Sequence, residues 1–239
     1  MKAICQKHGE YDFREVSLYG ITFKSGCPAC NDEYTAQEMQ RIATAQKQLE
    51  DKDFMARGIE PEYFDKKLED YKPETESEKA ALQACKDLKD GKVKKVLLCG
   101  SNGTGKTMLA SCLAKDLNGV RTTMFEISNK IRQAFNDHRT EGQVLDSYLR
   151  YPFIAIDEIG RTKGSDAELN WLSYLIDKAH VRGIRLLLIS NKHRAKYLPK
   201  ERQGEAIEAF LPNDAISRLM QSSLILEIAG RDRRKTAFV

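Results

Sequence analysis

The stretch Gly100-Ser101-Asn102-Gly103-Thr104-Gly105-Lys106-Thr107 constrains this chain more than any other part of it. It matches G-x-x-x-x-G-K-[ST] in full, with the apolar run VLLCG at 96–100 before it and the helix-like run KTMLASCLAKDL at 106–117 after it. That context of strand, loop and helix gives the pattern its meaning. The glycines let successive N–H groups turn inward, and the positive end of a helix starting at Lys106 faces the same point, so the loop suits a phosphate. On this reading residues 100–107 hold ATP, Lys106 sets its charge beside the β- and γ-phosphates, and the Thr107 hydroxyl meets Mg²⁺. The alternative is a glycine-rich turn that binds nothing.

From residue 94 onward, short apolar runs alternate with helix-like ones. VLLCG is followed by the helix from Lys106, TTMFEI by a helix from Ser128, FIAIDE by SDAELNWLSYLIDKAH, RLLLISN by a helix near Ala215, and LILEI comes last. Strands this apolar are buried on both faces, so the expected fold is α/β, a five-stranded parallel sheet covered by helices. Ser165 with Glu168 reads as a capping box, and Gly183 as that helix's stop.

FIAIDE ends in two carboxylates, which a parallel sheet places at its carboxyl edge beside the phosphate loop. Asp157 then belongs to the Mg²⁺ shell and Glu158 activates water, a pairing that favours hydrolysis over phosphoryl transfer to another acceptor. An acidic turn after a core strand is the other reading. Asn191 ends the fourth run, where its amide can reach the γ-phosphate; alone, such an Asn is as well explained as a turn residue.

The 239 residues carry a net charge of +4, too small to argue for nucleic acid by itself. Apolar residues make up 41% and charged ones 31%, no run approaches a membrane span, and the N-terminus has no secretory core, so a soluble cytoplasmic protein is expected. With no export signal the six cysteines are expected reduced, and Cys85, Cys99 and Cys112 read as small buried apolar residues.

The other cysteines form a pattern. Cys5-x-x-His8 and Cys27-Pro-Ala-Cys30 are two close pairs of soft ligands, a spacing suited to one tetrahedral Zn²⁺ in a segment too small to build its own core. A redox dithiol at Cys27 and Cys30 is the competing reading. TAQEMQRIATAQKQL at 35–49 reads as a polar connector helix, GIEPEYFDKKLEDYKPETES as an irregular segment anchored by aromatics, and 77–88 as a helix. The expected divisions are 1–50, a zinc-binding docking module with its connector; 51–92, a linker; and 93–239, the nucleotide-binding domain.

In order and spacing, GSNGTGKT, FIAIDEIG, LLLISN, DAISRL and LILEIAGRDRRK resemble the AAA+ ATPase core, and more narrowly the DnaC/DnaI helicase loaders and the related IstB transposition helpers, phage DnaC-like replication proteins included. ARGIEPEYFDKKLEDY resembles that family's linker, so the likeness covers most of 55–239. The resemblance implies an ATPase without a helical lid that binds a hexameric replicative helicase, delivers it to single-stranded DNA and assembles with its own copies. It implies that Arg218 is an arginine finger acting on a neighbour's nucleotide, although a helix DAISRLMQ with Ile216, Leu219 and Met220 inward leaves Arg218 on a surface where most arginines are merely solvated. It also implies a second sensor at Arg234, with Arg233 nearly as good a fit. Two alternatives stay open: an IstB-like helper acting on duplex DNA, and a zinc-stapled adaptor that uses nucleotide only as a structural ligand.

Overall fold

The protein is described here from a computed structural model that covers residues 1–19, 21–161, 165–211, 213–221 and 223–234. Lys235, part of the terminal basic run, and the Met220 side chain lie outside the described residues. The chain divides into two compact units, Met1–Asp53 and Phe54–Val239.

The first unit holds two antiparallel hairpins, β1 (Lys2–Cys5) with β2 (Gly9–Asp12) and β3 (Glu15–Leu18) with β4 (Ile21–Lys24). A helix, α1 (Pro28–Ala56), follows. The sequence pattern placed a helix only at 35–49; the observed one starts inside the Cys27–Cys30 pair, because proline is well placed at a helix's first position. None of its residues is buried, and Met39, Ile42 and Leu49 are exposed.

The second unit is built on one parallel sheet in the order β6-β7-β8-β5-β9. Its strands are β5 (Lys95–Gly100), β6 (Val120–Thr123), β7 (Phe153–Asp157), β8 (Arg185–Ile189) and β9 (Ser223–Ile228). The expected five-stranded parallel sheet is therefore present. Successive strand residues point to opposite faces, and each face has its own apolar cluster. Leu97, Ile154, Ile156 and Leu188 pack with α4 (Met124–Asn136), α5 (Glu141–Tyr148), α6 (Asp166–Val181), α7 (Ile207–Phe210) and α8 (Asn213–Met220). Val96, Leu98, Ala155 and Leu187 pack with α2 (Glu76–Lys89), α3 (Lys106–Asp116) and the linker residues Ile59, Leu68 and Tyr71. Each buried Val, Leu or Ile among them contributes about 1.5–3 kcal/mol. No helix among the described residues is long and apolar enough to cross a membrane.

Local capping explains where elements begin. The Ser165 hydroxyl accepts from the Glu168 N–H and opens α6, and Gly183 lies just beyond its end at φ 67°. Contrary to expectation, TTMFEI is not a strand throughout. Its strand stops at Thr123, whose hydroxyl accepts from the Glu126 N–H at 3.1 Å while the Glu126 carboxylate accepts the Thr123 N–H at 2.8 Å. That reciprocal cap starts α4 at Met124, four residues before the expected Ser128. The helix α5 was not anticipated; Thr140 and Gln143 cap it in the same way.

The linker is fastened to the sheet edge. Arg57 donates to the carbonyls of Ala114 and Gly119, and its own carbonyl accepts the Arg121 N–H at 2.8 Å. Gly58 has φ 75°, and a Cβ there would lie 2.0 Å from the Arg121 carbonyl oxygen, so only glycine fits. Thr123→Ala should lower stability by about 1 kcal/mol through loss of the α4 cap; an unchanged urea midpoint would show that the cap does not hold this helix.

Candidate functional site

The strand order puts β8 beside β5 and β7 beside β8, with all three carboxyl ends opening on one side. In such a sheet ligands bind where the chain reverses its direction of winding. A cavity of about 680 Å³ lies there, lined by the loop residues Asn102, Gly103, Gly105, Lys106 and Thr107 and by Asp157, Glu158, Asn191, Arg233 and Arg234. Its size suits a small-molecule ligand of nucleotide dimensions.

Gly100, Gly103 and Gly105 all take positive φ, at 114°, 78° and 86°. At Gly100 the reason is close packing as well, since a Cβ would meet the Ile228 carbonyl oxygen at 2.3 Å. The loop is tied from outside by the Tyr71 hydroxyl, which donates to the Thr104 carbonyl at 2.9 Å. Inside the loop Lys106 donates to the carbonyls of Gly100 (2.9 Å) and Ser101 (2.6 Å) and to the Thr104 hydroxyl (3.3 Å). Burial is the main reason its pKa falls to about 8, partly offset by the Asp157 charge.

Asp157 is 3% exposed and accepts on both oxygens. Oδ2 takes the Thr107 hydroxyl at 2.8 Å and Arg121 Nη2 at 3.1 Å, while Oδ1 takes the Glu158 N–H at 2.7 Å. A threonine hydroxyl held against a buried carboxylate at the start of α3 is a donor set that fits Mg²⁺ beside a phosphate cradle. Glu158 stands at φ 57°, a left-handed conformation uncommon outside glycine, and both its carboxylate oxygens accept from Arg161 Nη1, at 2.8 and 2.7 Å. Asn191 lies two residues past β8 and is exposed at the cavity wall.

The two basic candidates near the terminus differ. Arg233 is drawn back onto the Tyr71 ring, 4.6 Å from its centroid, and bonds the buried Glu78 at 2.9 Å. Arg234 bonds Asp232 at 3.1 Å and faces the cavity close enough for its charge to help depress Lys106. Arg218 is not brought to this cavity: it is exposed on α8, with its Nε 3.1 Å from Asp177 on α6. Sequence reasoning missed Arg121, Arg161, Tyr63 and Lys192 around the site. None of these carries a signal in the sequence: Arg121 precedes the run TTMFEI by one residue, and only the fold shows it as a charge inside a buried strand.

In the first unit the turn between β1 and β2 and the start of α1 bring Cys5, His8, Cys27 and Cys30 together, their ligand atoms within 4.8 Å of one another. Cys5 and Cys30 sulfurs are 3.5 Å apart, and His8 Nδ1 lies 3.7, 3.7 and 3.3 Å from Cys5, Cys27 and Cys30. A tetrahedral zinc with Zn–S of about 2.3 Å and Zn–N of about 2.0 Å needs ligand separations of roughly 3.5–3.8 Å, and the sulfur and imidazole contacts of 3.3–3.7 Å lie within a few tenths of an ångström of that. His8 Nε2 meets Glu33 at 3.0 Å, the outer partner that orients a ligating imidazole. The Cys5 thiol is pulled down to about 6, chiefly by the N–H groups of Lys7 and His8.

The RNA helicase family model, a P-loop family, matches residues 96–182, less than half of the chain. No curated protein matches the sequence. Among solved structures the DnaC helicase loader is similar at 17% identity and TM-score 0.54, over 71% of this chain and 100% of that one. DnaI is similar at 19% and 0.54, over 74% and 94%. The replication initiator DnaA bound to AMPPCP and single-stranded DNA is similar at 15% and 0.58, over 73% of this chain and 52% of that one. The chain thus spans about half the length of that initiator and nearly all of both loader structures. At such identities the likeness is one of fold: over nearly three quarters of its length the chain has the P-loop AAA+ fold of the DnaC and DnaI loader structures.

Proposed function

We propose that this protein is an ATP-hydrolysing helicase loader, which binds a hexameric replicative helicase and delivers it to single-stranded DNA as replication starts. One observation carries the reading: the phosphate loop, the paired acids, Asn191 and Arg234 surround a single cavity in a fold that spans the whole DnaC loader structure. The DnaA structure of the same fold is bound to a nucleotide analogue and single-stranded DNA, which supports both ligands.

In this reading the residues 100–105 and Lys106 hold the phosphates, Lys106 exchanging its loop carbonyls for phosphate oxygens. Thr107 and Asp157 would hold a magnesium ion, which when bound would neutralise phosphate charge. Glu158, leaving Arg161, takes a proton from the water that attacks the γ-phosphorus; the bond to the β–γ bridging oxygen breaks, giving ADP and phosphate. Asn191 and Arg234 orient the γ-phosphate from the other walls. Arg218, which pairs with Asp177 and does not line this cavity, serves the nucleotide of an adjoining copy. The metal-stapled unit, 1–53, supplies the helicase grip, with zinc supplying the folding free energy that its small apolar content does not.

Three measurements test this. Glu158→Gln should keep ATP binding and co-purification with a replicative helicase yet turn over about 100-fold slower or worse. Normal loading by that variant would instead favour the adaptor, and preference for duplex DNA in a salt titration would favour a transposition helper. ATP affinity should fall as pH rises above about 8, by up to tenfold per unit, because Lys106 must be charged to hold phosphate and the complex raises its pKa; a flat profile from about 7 to 9.5 would contradict the role of Lys106. Cys27→Ser with Cys30→Ser should abolish zinc content by elemental analysis and open the first 53 residues to protease while leaving ATP affinity within about twofold. A wild-type chain that neither contains nor takes up zinc would end the metal assignment.

A further inference from the structure

Arg121 is a charge placed in β6 between Val120 and Thr122, in a strand that is buried for three of its four residues. It is 8% exposed. The register pairs Thr123 with Asp157 and Arg121 with Ala155, so Arg121 lies on the same face as Asp157, two residues back along the neighbouring strand. From there Nη2 reaches Asp157 Oδ2 at 3.1 Å, while Nη1 donates to the Gly58 carbonyl at 3.0 Å and to Glu60 Oε1 at 2.6 Å.

An arrangement selected for stability alone would look different. Replacing a buried ion pair by apolar residues is often neutral or stabilising, and this one leaves Arg121 Nε and Glu60 Oε2 buried without a hydrogen-bond partner among the described residues. What the guanidinium does secure is direction. A carboxylate has about four acceptor positions. Thr107 and Arg121 occupy Oδ2 and the Glu158 N–H occupies one position on Oδ1, so the free position points one way only.

We propose that Arg121 is a positioning residue: it fixes the Asp157 carboxylate for its part in the magnesium shell and, through Glu60, couples that carboxylate to the linker that follows α1. The proposal rests on the nucleotide reading given above. It makes the metal-dependent share of nucleotide binding sensitive to the linker, while the loop's own grip on phosphate is not.

The test is the affinity of the full-length protein for a fluorescent ATP analogue, measured in EDTA and again in Mg²⁺, with melting curves to confirm folding. Arg121→Lys keeps the charge and loses the fork; its affinity in EDTA should stay within about twofold, and the gain conferred by Mg²⁺ should shrink about tenfold or more. Glu60→Gln should shrink the same gain by a smaller factor. An unchanged Mg²⁺ gain in Glu60→Gln overturns the coupling even if Arg121→Lys does not fold. Equal losses with and without Mg²⁺ in either variant assign Arg121 a structural role only and overturn the proposal. A wild-type protein that binds no analogue in either condition overturns the nucleotide assignment itself, a result distinct from both.

Discussion

The carboxylate of Asp157 is the point on which the site depends. It sits at the end of a fully buried strand, where an unpaired charge is costly, and three donors from three parts of the chain meet it: the Thr107 hydroxyl from α3, the Arg121 guanidinium from β6, and the N–H of the next residue. Through these contacts the phosphate loop, the sheet edge and the linker are held in one register. The loop's curl is set from the other side by Tyr71 and by the packing of Gly100 on Ile228. A hydrophobic core without these polar ties would give the layers but not the alignment of Lys106 with the acids.

How much of this can be read from the residues alone follows from which forces are local. Four of the five strands are legible because burial on both faces leaves runs such as VLLCG and FIAID almost wholly apolar, and the loop is legible because its glycines have no other ready explanation. TTMFEI misleads because β-branched and aromatic residues favour a strand, whereas Thr123 and Glu126 cap each other and turn the chain into a helix after Thr123. Arg121 is hidden for a different reason. Its partners are 36 and 61 residues away, and no local spacing announces a diagonal contact between neighbouring strands. The hairpins β1–β2 and β3–β4 are also illegible, since their strands are four residues long and leave Ile4, Ile21 and Phe23 exposed, so no apolar face marks them.

The two units solve the problem of cohesion by different chemistry. In the larger one, apolar side chains on both sides of a sheet do the work, with polar groups confined to the edge where the strands end. In the smaller one Cys27 alone is buried among the apolar side chains of the described residues, and its four soft ligand atoms converge within 4.8 Å of one another.

Lys106 shows how the loop is prepared for its ligand. The ammonium is already stripped of most of its hydration and resting on two carbonyl oxygens and a hydroxyl. Dehydration of that charge therefore belongs to the folding of the chain and not to the encounter with an anion. An incoming oligophosphate swaps weak neutral acceptors for strong ionic ones without first shedding a water shell, so capture of the ligand is governed by the reach of the side chain and not by solvent leaving it.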